Sequence, residues 1–307
     1  MSYKYTISNF RTDFPDDNTC LDKVFSLRYG SQTHCTKCDN VFSYTRVKGR
    51  QCYQCDKCYY QIYPCAGTVF ENTKTPLLYW FYAIYLFTAS KNGVSAKEIE
   101  RQLGVTYKCA WRMLKHIRIL MGSQQVNMFE ESSIVECDET FVGGKNINRH
   151  KDKKVEKSQG RSFKDKTPVF GMFERKSKQV KAFVVPDTKG KTLKPIIYSQ
   201  IETGANVYTD EWIAYRGIDK YYNHQFVDHS KGQYADGDNS TNRIENVWSC
   251  FKRTIKGSYI KVSRKYLQLY VDESVFRFNN RNKPIFYELV NLLGLEPNQE
   301  LCRTQTL

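Results

Sequence analysis

Acidic residues stand at three predicted structural elements, with a spacing that suits metal chemistry. Asp138 lies in SSIVECDETFVGGK, whose apolar residues indicate a strand that ends at a pair of glycines. Asp210 ends a second predicted strand, in ANVYTDEWIAY. Glu245 follows after 34 intervening residues, and Lys252 after six more. Carboxylates placed on strands and a following helix can gather two divalent ions for phosphoryl transfer, and hard oxygen ligands favour magnesium or manganese.

Residues 241–252, TNRIENVWSCFK, have the periodicity of an amphipathic helix. The apolar face is expected to hold Ile244, Val247, Trp248, Phe251 and Ile255. The polar face is expected to hold Asn242, Glu245, Ser249 and Lys252. Taken alone, such a polar face is more typical of an exposed surface helix. The two upstream aspartates are the reason to interpret it as part of a site.

Two C-x2-C pairs, Cys35/Cys38 and Cys55/Cys58, are separated by sixteen residues. Each pair can present two thiolates, and two pairs complete a tetrahedral zinc site. A region this small needs such a staple to hold itself together. Cys52 leaves an alternative open, because Cys52 and Cys55 are also spaced as C-x2-C.

A helix from Leu77 to about Ala89 is followed by two shorter helical patterns. Ser95 and Glu98 have the spacing of a capping box, Gly104 ends that helix, and Thr106 can cap the next. A short helix, a glycine-containing turn and a basic helix form the helix-turn-helix pattern, although an ordinary three-helix core is the alternative. The basic residues expected to face outward and contact DNA are Lys108, Arg112, Lys115 and Arg118.

Residues 130–260 follow the order strand, long basic loop, strand, strand, helix, strand, helix, strand, helix. We expect the first of these helices at about 192–201 and the last strand near 225–227. This order matches the ribonuclease-H-like fold, which would bring the three acidic positions together. The loop at 145–166 is dense in lysine and arginine. It is either a solvated loop or a phosphate-binding segment that orders on DNA.

Composition limits the class of protein. Of 307 residues, 40% are hydrophobic, which predicts a folded chain with a sizeable core. Lys and Arg number 47 against 32 Asp and Glu, and the net charge of +15 suits a polyanionic partner. No apolar run reaches membrane-spanning length and no signal-peptide pattern is present. The 11 cysteines, several in close pairs, favour a metal site in a reducing compartment.

Several long blocks occur in an order shared with a known family: VECDETFVGGK, KTPVFGMFERK, VYTDEWIAYRG and VDHSKGQYADGDNSTNRIENVWSCFKR. Together with upstream blocks they cover roughly residues 20–282. In these blocks the chain resembles the zinc-ribbon DDE transposases of bacterial insertion sequences, the ISXO-like group related to the Merlin transposons. The resemblance implies binding of transposon ends, followed by metal-dependent DNA cleavage and strand transfer.

The resemblance also implies roles for individual residues. Asp138 and Asp210 would hold two magnesium or manganese ions, and Lys252 would neutralise phosphate charge. The third ligand is either Glu245, which spacing favours, or Asn242, which matches the asparagine often described in this group. Because the two are one helical turn apart, both can reach the site.

Further residues are assigned around this centre. The resemblance gives His229, in VDHS, a contact with the scissile phosphate or with water, and a merely polar histidine is the alternative. Arg253 is placed with the DNA-binding residues. Glu136 and Glu139 are treated as secondary, because we expect strand alternation to point both away from Asp138. The family's second cysteine pair aligns with Cys55 and Cys58, which implies one structural zinc and a spare Cys52.

The sequence therefore predicts a multidomain α+β protein. Its expected parts are a lead-in helix (1–30), a zinc ribbon (31–66), a helix-turn-helix region (67–125), a ribonuclease-H-like α/β catalytic domain with a mixed sheet (130–282) and a C-terminal tail (283–307). Its expected partner is double-stranded DNA, as transposon ends and target, and the family implies a homo-oligomer on that DNA. No membrane association is expected. The expected location is the bacterial cytoplasm at the nucleoid, or the nucleus in a eukaryotic host.

Two other functions compete with this interpretation. One is a nuclease of the same fold that hydrolyses DNA without joining it. The other is a non-catalytic, sequence-specific DNA-binding protein, which would be a domesticated or decayed copy. The intact set of Asp138, Asp210, Glu245 and Lys252 argues against decay.

Overall fold

The computed structural model describes residues 5–124, 126–143, 150–154, 166–210, 213–227 and 240–294. Most of the predicted basic loop at 145–166 therefore lies outside the described residues. The chain divides into two compact units. One comprises the residues up to Gln124 and those from Asn280 onward, and the other comprises Gln125–Asn279. Within the described residues, every helix is too short or too polar to span a bilayer.

The secondary structure alternates between helical and sheet-rich segments. The helices are α1 (Ile7–Asp13), α2 (Asp17–Tyr29), α3 (Leu77–Ala89), α4 (Ala96–Leu103), α5 (Tyr107–Gly122), α6 (Gly190–Gln200), α7 (Asn242–Thr254), α8 (Leu267–Asn279) and α9 (Ile285–Asn291). The strands are β1 (Tyr44–Arg46), β2 (Tyr53–Cys55), β3 (Gln61–Ile62), β4 (Ile134–Val142), β5 (Thr167–Glu174), β6 (Val180–Val184), β7 (Asn206–Asp210) and β8 (Asn223–Val227). The expected single lead-in helix is thus a pair, α1 and α2.

Aromatic rings fill the core of the first unit. The ring of Phe14 lies 4.8 Å from that of Phe81 on α3 and 5.9 Å from that of Phe286 on α9. Phe286 also stacks on Tyr5 at 4.1 Å. Within the C-terminal segment, where a short helix was expected at about 287–293, helix α9 completes this core. Residues from 295 onward lie outside the described part of the chain.

The caps of α4 and α5 lie where the sequence predicts them. Ser95 Oγ accepts a hydrogen bond from the backbone N–H of Glu98 at 3.2 Å, and Thr106 Oγ1 accepts one from that of Cys109 at 3.3 Å. Gly104 ends α4 in the left-handed region, at a φ of 66°. The Glu98 side chain does not complete the expected capping box, because it accepts hydrogen bonds from later residues of its own helix.

The predicted outward-facing basic side of α5 is wrong for two of its four residues. Lys115 and Arg118 are 7% and 3% exposed, and the Arg118 guanidinium lies over the Phe87 ring at 5.3 Å. Long basic side chains can bury their stems and stack on aromatic faces, which helical periodicity does not reveal. Arg112 is half-buried over a tryptophan ring, and Lys108 is exposed.

The second unit is built on a mixed five-stranded sheet with the order β6-β5-β4-β7-β8. The pairs of β5 with β4 and β6 are antiparallel, whereas β4–β7 and β7–β8 are parallel. Residues of α6 pack on one face, and residues of α7 and α8 pack on the other. Helices and a mixed sheet agree with the predicted α+β class. Between β7 and β8 the described chain has a 3-10 turn, Ile213–Tyr215, where a helix was expected.

Helix α7 buries the face that its periodicity predicts. Ile244, Trp248 and Phe251 are at most 5% exposed, whereas Glu245 and Lys252 are exposed. Helix α7 approaches β5 closely at Gly171, the residue paired with Asp138 of β4. A Cβ atom at Gly171 would come 2.5 Å from Trp248 Cη2 and 3.2 Å from Ile244 Cδ1. The absence of a side chain there lets α7 lie close to the sheet.

We predict that Gly171→Ala destabilises the second unit by about 1–3 kcal/mol, because the added methyl group overpacks a dense contact. Differential scanning calorimetry would show a lower Tm. The control is Gly257→Ala, because a Cβ there would meet nothing within 4 Å. An unchanged Tm for Gly171→Ala would contradict the close packing of α7 on β5.

Candidate functional site

The two predicted aspartates lie side by side on neighbouring parallel strands. Strands β4 and β7 pair from Ile134 opposite Asn206 to Glu136 opposite Tyr208. Asp138 and Asp210 each come two residues later, so they continue the same register on the same face of the sheet. Asp210 is the last residue of β7. The parallel register therefore brings both aspartates to one level, at the end of β7.

A third carboxylate joins them. Among the described residues, carboxylate oxygens of Asp138, Glu139 and Asp210 all lie within 4.8 Å of one another. Asp210 is 8% exposed, and the other two are half-buried. Three carboxylates this close repel one another unless a cation lies between them, and oxygen ligands suit a hard divalent cation. This cluster, hereafter the acidic cluster, is the candidate metal centre of the second unit.

The expectation that Glu136 and Glu139 share a side and point away from Asp138 is wrong. Residues an odd number apart on a strand lie on opposite faces, so these two glutamates cannot share one. Glu136 shares the face of Asp138. Glu139 starts on the other face, but among the described residues β4 pairs with β7 only as far as Glu136. The longer Glu139 side chain can therefore reach the aspartates around this strand end.

Tyr215 fixes the position of Glu139. Its hydroxyl donates a hydrogen bond to Glu139 Oε1. Tyr215 is 1% exposed. Burial, together with the nearby Glu139 carboxylate, raises the pKa of Tyr215 well above its ordinary value. The phenol therefore keeps its proton and remains a donor to Glu139 at all ordinary pH values.

Glu136 connects β4 to the start of α7. Its side chain is fully buried, and Oε2 accepts hydrogen bonds from the backbone N–H groups of Arg243 at 3.0 Å and Ile244 at 3.2 Å. Oε1 accepts a hydrogen bond from Arg175 Nε at 2.8 Å. A side chain from a strand thus caps the helix, as the free N–H groups of a first turn require. Two-residue alternation alone could have placed Glu136 on this face.

The two residues predicted for the third ligand position lie on the first turn of α7. Asn242 is the first residue of the helix and is exposed, as is Glu245. Glu245 Oε1 accepts a hydrogen bond from the Thr241 hydroxyl at 3.0 Å. Glu245 does not join the acidic cluster. The structure thus brings the two aspartates together and adds Glu139, but it does not add Glu245.

Three further residues, Lys252, Arg253 and His229, were predicted to act near this centre. Lys252 and Arg253 are exposed on the last turn of α7. His224 on β8 is 2.9 Å from the Thr209 hydroxyl, and burial lowers the pKa of its imidazole. His229 lies outside the described residues. A cavity of about 550 Å³ opens beside Asp210, and its lining includes Tyr215, Arg216, His224 and Phe226.

The predicted zinc ligands form a second cluster. Sulfur atoms of Cys35, Cys38, Cys55 and Cys58 lie within 4.8 Å of one another, on loops of the β1–β2–β3 sheet and at the end of β2. Cys52 is outside this group, and its Sγ is 3.9 Å from Gln61 Oε1. The alternative pair that includes Cys52 is therefore not the one that converges.

A tyrosine adjusts the chemistry of the cysteine cluster. The Tyr44 hydroxyl lies 3.1 Å from Cys35 Sγ, and this hydrogen bond is the main cause that lowers the pKa of that thiol to about 6. A lowered pKa favours the thiolate, which is the form that binds a metal. The convergence of four cysteine sulfur atoms indicates a structural zinc site.

Comparisons with known proteins agree with both clusters. A family described as the ISXO2-like transposase domain matches residues 131–279, and one described as the transposase zinc-ribbon domain matches residues 15–61. An uncharacterized protein in transposable element ISH50 of Halobacterium salinarum is 22% identical over 250 residues, which cover 78% of this chain and 83% of that protein.

Two further matches differ in how strongly they support the family assignment. An uncharacterized transposase-like protein of Haemophilus influenzae is 32% identical over 103 residues, covering 33% of this chain and 82% of that protein. A simian T-cell lymphotropic virus intasome, solved with PP2A regulatory subunit B56 gamma, matches 58% of this chain and 63% of that chain. Its identity of 12% and TM-score of 0.29 are too low to support a conclusion about the fold.

The matched segments coincide with the chemistry. The longer one contains the whole acidic cluster, and the shorter one contains all four clustered cysteines. Identity above 30% over most of the Haemophilus influenzae protein adds an independent match. From its sequence and from both sites, this chain belongs to the ISXO2-like transposase family.

Proposed function

We propose that this protein is a DNA transposase that binds the ends of its element and catalyses metal-dependent DNA cleavage and strand transfer. The observation that carries the proposal is the convergence of Asp138, Glu139 and Asp210 within 4.8 Å, inside the segment that matches a transposase domain. The compartment in which it acts is then the one that holds the host's DNA.

The acidic cluster fits magnesium or manganese, because it offers carboxylate oxygens and no soft ligands. Two such ions would activate an attacking water or 3′-hydroxyl and stabilise the leaving 3′-oxygen. The protein's own contribution is to hold three carboxylates at fixed positions. Phosphoryl transfer needs little covalent help, so positioning and charge stabilisation carry the reaction.

Glu139 becomes the first candidate for the third ligand. It already lies in the acidic cluster, and its carboxylate is oriented by Tyr215. Asn242 and Glu245 remain candidates because of the family resemblance and their spacing. Asn242 would bring no charge, which makes it a weaker ligand for a hard cation.

The α/β unit supports a ribonuclease-H-like assignment. The aspartates lie on β4 and β7, adjacent parallel strands of a mixed sheet, and α7 packs on the face toward which Asp138 points. The order of elements after β4 agrees with the predicted order, except for the 3-10 turn between β7 and β8.

DNA binding is proposed from charge and from exposed basic residues. The chain carries a net charge of +15. Lys108 at the start of α5 and Lys252 and Arg253 on α7 are exposed, so they are available to phosphates. Arg112 is a weaker candidate because it is half-buried, and burial removes Lys115 and Arg118 from the proposed contacts. The α4–turn–α5 segment is the proposed helix-turn-helix, and assembly of several copies on paired ends follows from the family.

Strand transfer in vitro tests the proposed catalytic role of the acidic cluster. Purified protein would be given DNA with the element's ends, a plasmid target and magnesium or manganese. Asp138→Asn and Asp210→Asn should each lower joining by about 10³-fold or more, because each removes several kcal/mol of charge stabilisation. We expect Glu139→Gln to be more damaging than Asn242→Ala or Glu245→Gln.

Glu202→Gln is the control for that experiment, because Glu202 is an exposed carboxylate of the same unit outside the acidic cluster. Its joining rate should equal that of the wild type. If the wild type binds the ends but neither cuts nor joins with any metal, the catalytic proposal is wrong and the protein is a binding module. Cutting without joining would identify a nuclease.

The zinc content of cysteine variants tests which four cysteines bind the metal. Elemental analysis of purified protein should find one zinc per chain in the wild type and in Cys52→Ser. Cys55→Ser should lose it, because one of four thiolates is missing, and should bind the element's ends more weakly because the ribbon unfolds. Zinc retained in Cys55→Ser and lost in Cys52→Ser would show that the other cysteine is the ligand.

A further inference from the structure

Glu136, which is fully buried, and Arg175, whose side chain is 13% exposed, form an ion pair between the two aspartate-bearing strands and α7. We propose that this pair, hereafter the clamp, positions α7 and the ends of β4 and β7 for catalysis, so that Glu136 and Arg175 are positioning residues. The proposal rests on the function proposed above, because it names the residues that keep that site in register.

The Glu136 side of the clamp holds the helix. Its carboxylate is 0% exposed and accepts the backbone N–H groups of Arg243 and Ile244 through one oxygen. These are donors that α7 cannot satisfy within its own first turn. The negative charge also lies at the positive end of the helix dipole. The start of α7 is therefore fixed to a residue two positions before Asp138.

In addition to its ion pair with Glu136, Arg175 contacts three other residues. Its Nε donates to Glu136 Oε1 at 2.8 Å, and its Nη2 donates to the Ser240 carbonyl oxygen at 2.9 Å. Its guanidinium lies over the Tyr208 ring on β7, 4.8 Å from the centroid. Its backbone N–H donates to the Ile134 carbonyl oxygen at the start of β4, at 2.9 Å.

These contacts link β4, β7 and the start of α7, the elements that carry the two aspartates and the two candidates for the third ligand. Glu136 and Tyr208 are register partners, and each precedes an aspartate of the acidic cluster by two residues. Ser240 lies two residues before Asn242, at the entry to α7. One arginine therefore ties together the strand of Asp138, the strand of Asp210 and the helix of Asn242, Glu245 and Lys252.

Stability alone does not account for such a pair. Burying two charges costs desolvation energy, and a well-packed apolar pair of the same size is often as stabilising or more so. What an ion pair with several hydrogen bonds adds is a single allowed geometry. At this location, one geometry means a fixed distance between the acidic cluster and the exposed face of α7.

The test compares Glu136→Gln, which keeps the size and one oxygen, with Glu273→Gln. Glu273 is the matched control, because it is 1% exposed and paired with Arg277 at 3.0 Å within the same unit. For each variant we would measure the Tm, the Kd for the element's ends, the joining rate at saturating DNA, and the manganese concentration that gives half-maximal joining.

We expect Glu136→Gln to lower the joining rate at saturating DNA by about 10–100-fold and to raise the manganese requirement, as the loss of ligand-orienting contacts does elsewhere. The Kd for the ends should not change. Arg175→Lys should retain more activity than Arg175→Met, because it keeps the charge. Glu273→Gln should lower the Tm without changing the joining rate or the manganese requirement.

Hydrogen exchange tests the clamp without any activity. Amides in the first turn of α7 should exchange about 10-fold faster or more in Glu136→Gln than in the wild type, and at the wild-type rate in Glu273→Gln. Unchanged exchange would overturn the clamp, whether or not the protein is active.

Normal joining by Glu136→Gln alongside an inactive Asp138→Asn would overturn its positioning role and leave the proposed function standing. A wild type that joins no ends would refute the proposed function, and the exchange result would still decide the clamp.

Discussion

Parallel pairing of β4 with β7 is the constraint on which the second unit depends. It sets Asp138 and Asp210 at one level, and the end of their pairing lets Glu139 approach from the opposite face. The result is a concentration of negative charge that no folded chain would assemble for stability. The surrounding packing holds the carboxylates together, including the fit of Trp248 over Gly171 directly opposite Asp138.

The acidic residues of β4 differ in the groups that satisfy their charge. Glu136 has its charge satisfied by Arg175 and by the amides of α7, so it is occupied as a structural acceptor. Glu139 accepts a hydrogen bond from a tyrosine that burial keeps protonated. Neighbouring acidic residues of one strand thus differ in role: Glu136 binds protein groups, whereas Asp138 and Glu139 lie in the acidic cluster, the proposed cation site. Glu136 and Glu139 are the same residue type, so their different roles come from their different surroundings.

Much of this arrangement could be predicted from the sequence, because it depends on local periodicity. The apolar face of α7, the caps at Ser95 and Thr106 and the paired cysteines are all set by spacing along the chain. The departures at α5 and at the acidic cluster involve long side chains whose reach depends on tertiary neighbours. Arg118 is buried because an aromatic ring of α3 lies beside it, and Glu139 reaches the cluster because a strand pairing stops. The domain limits and the DNA contacts stay predictions.

The core of the first unit contains residues from both ends of that unit's sequence, and this affects the order in which the two units can fold during synthesis. Phe10 and Phe14 pack with Phe286, so the helices made first need a partner that is made after the entire second unit. The second unit draws its core from Gln125–Asn279 alone and can close earlier. During synthesis the N-terminal unit waits with part of its aromatic core uncovered. A premature stop codon before Phe286 would therefore also expose the aromatic side chains of Phe10 and Phe14.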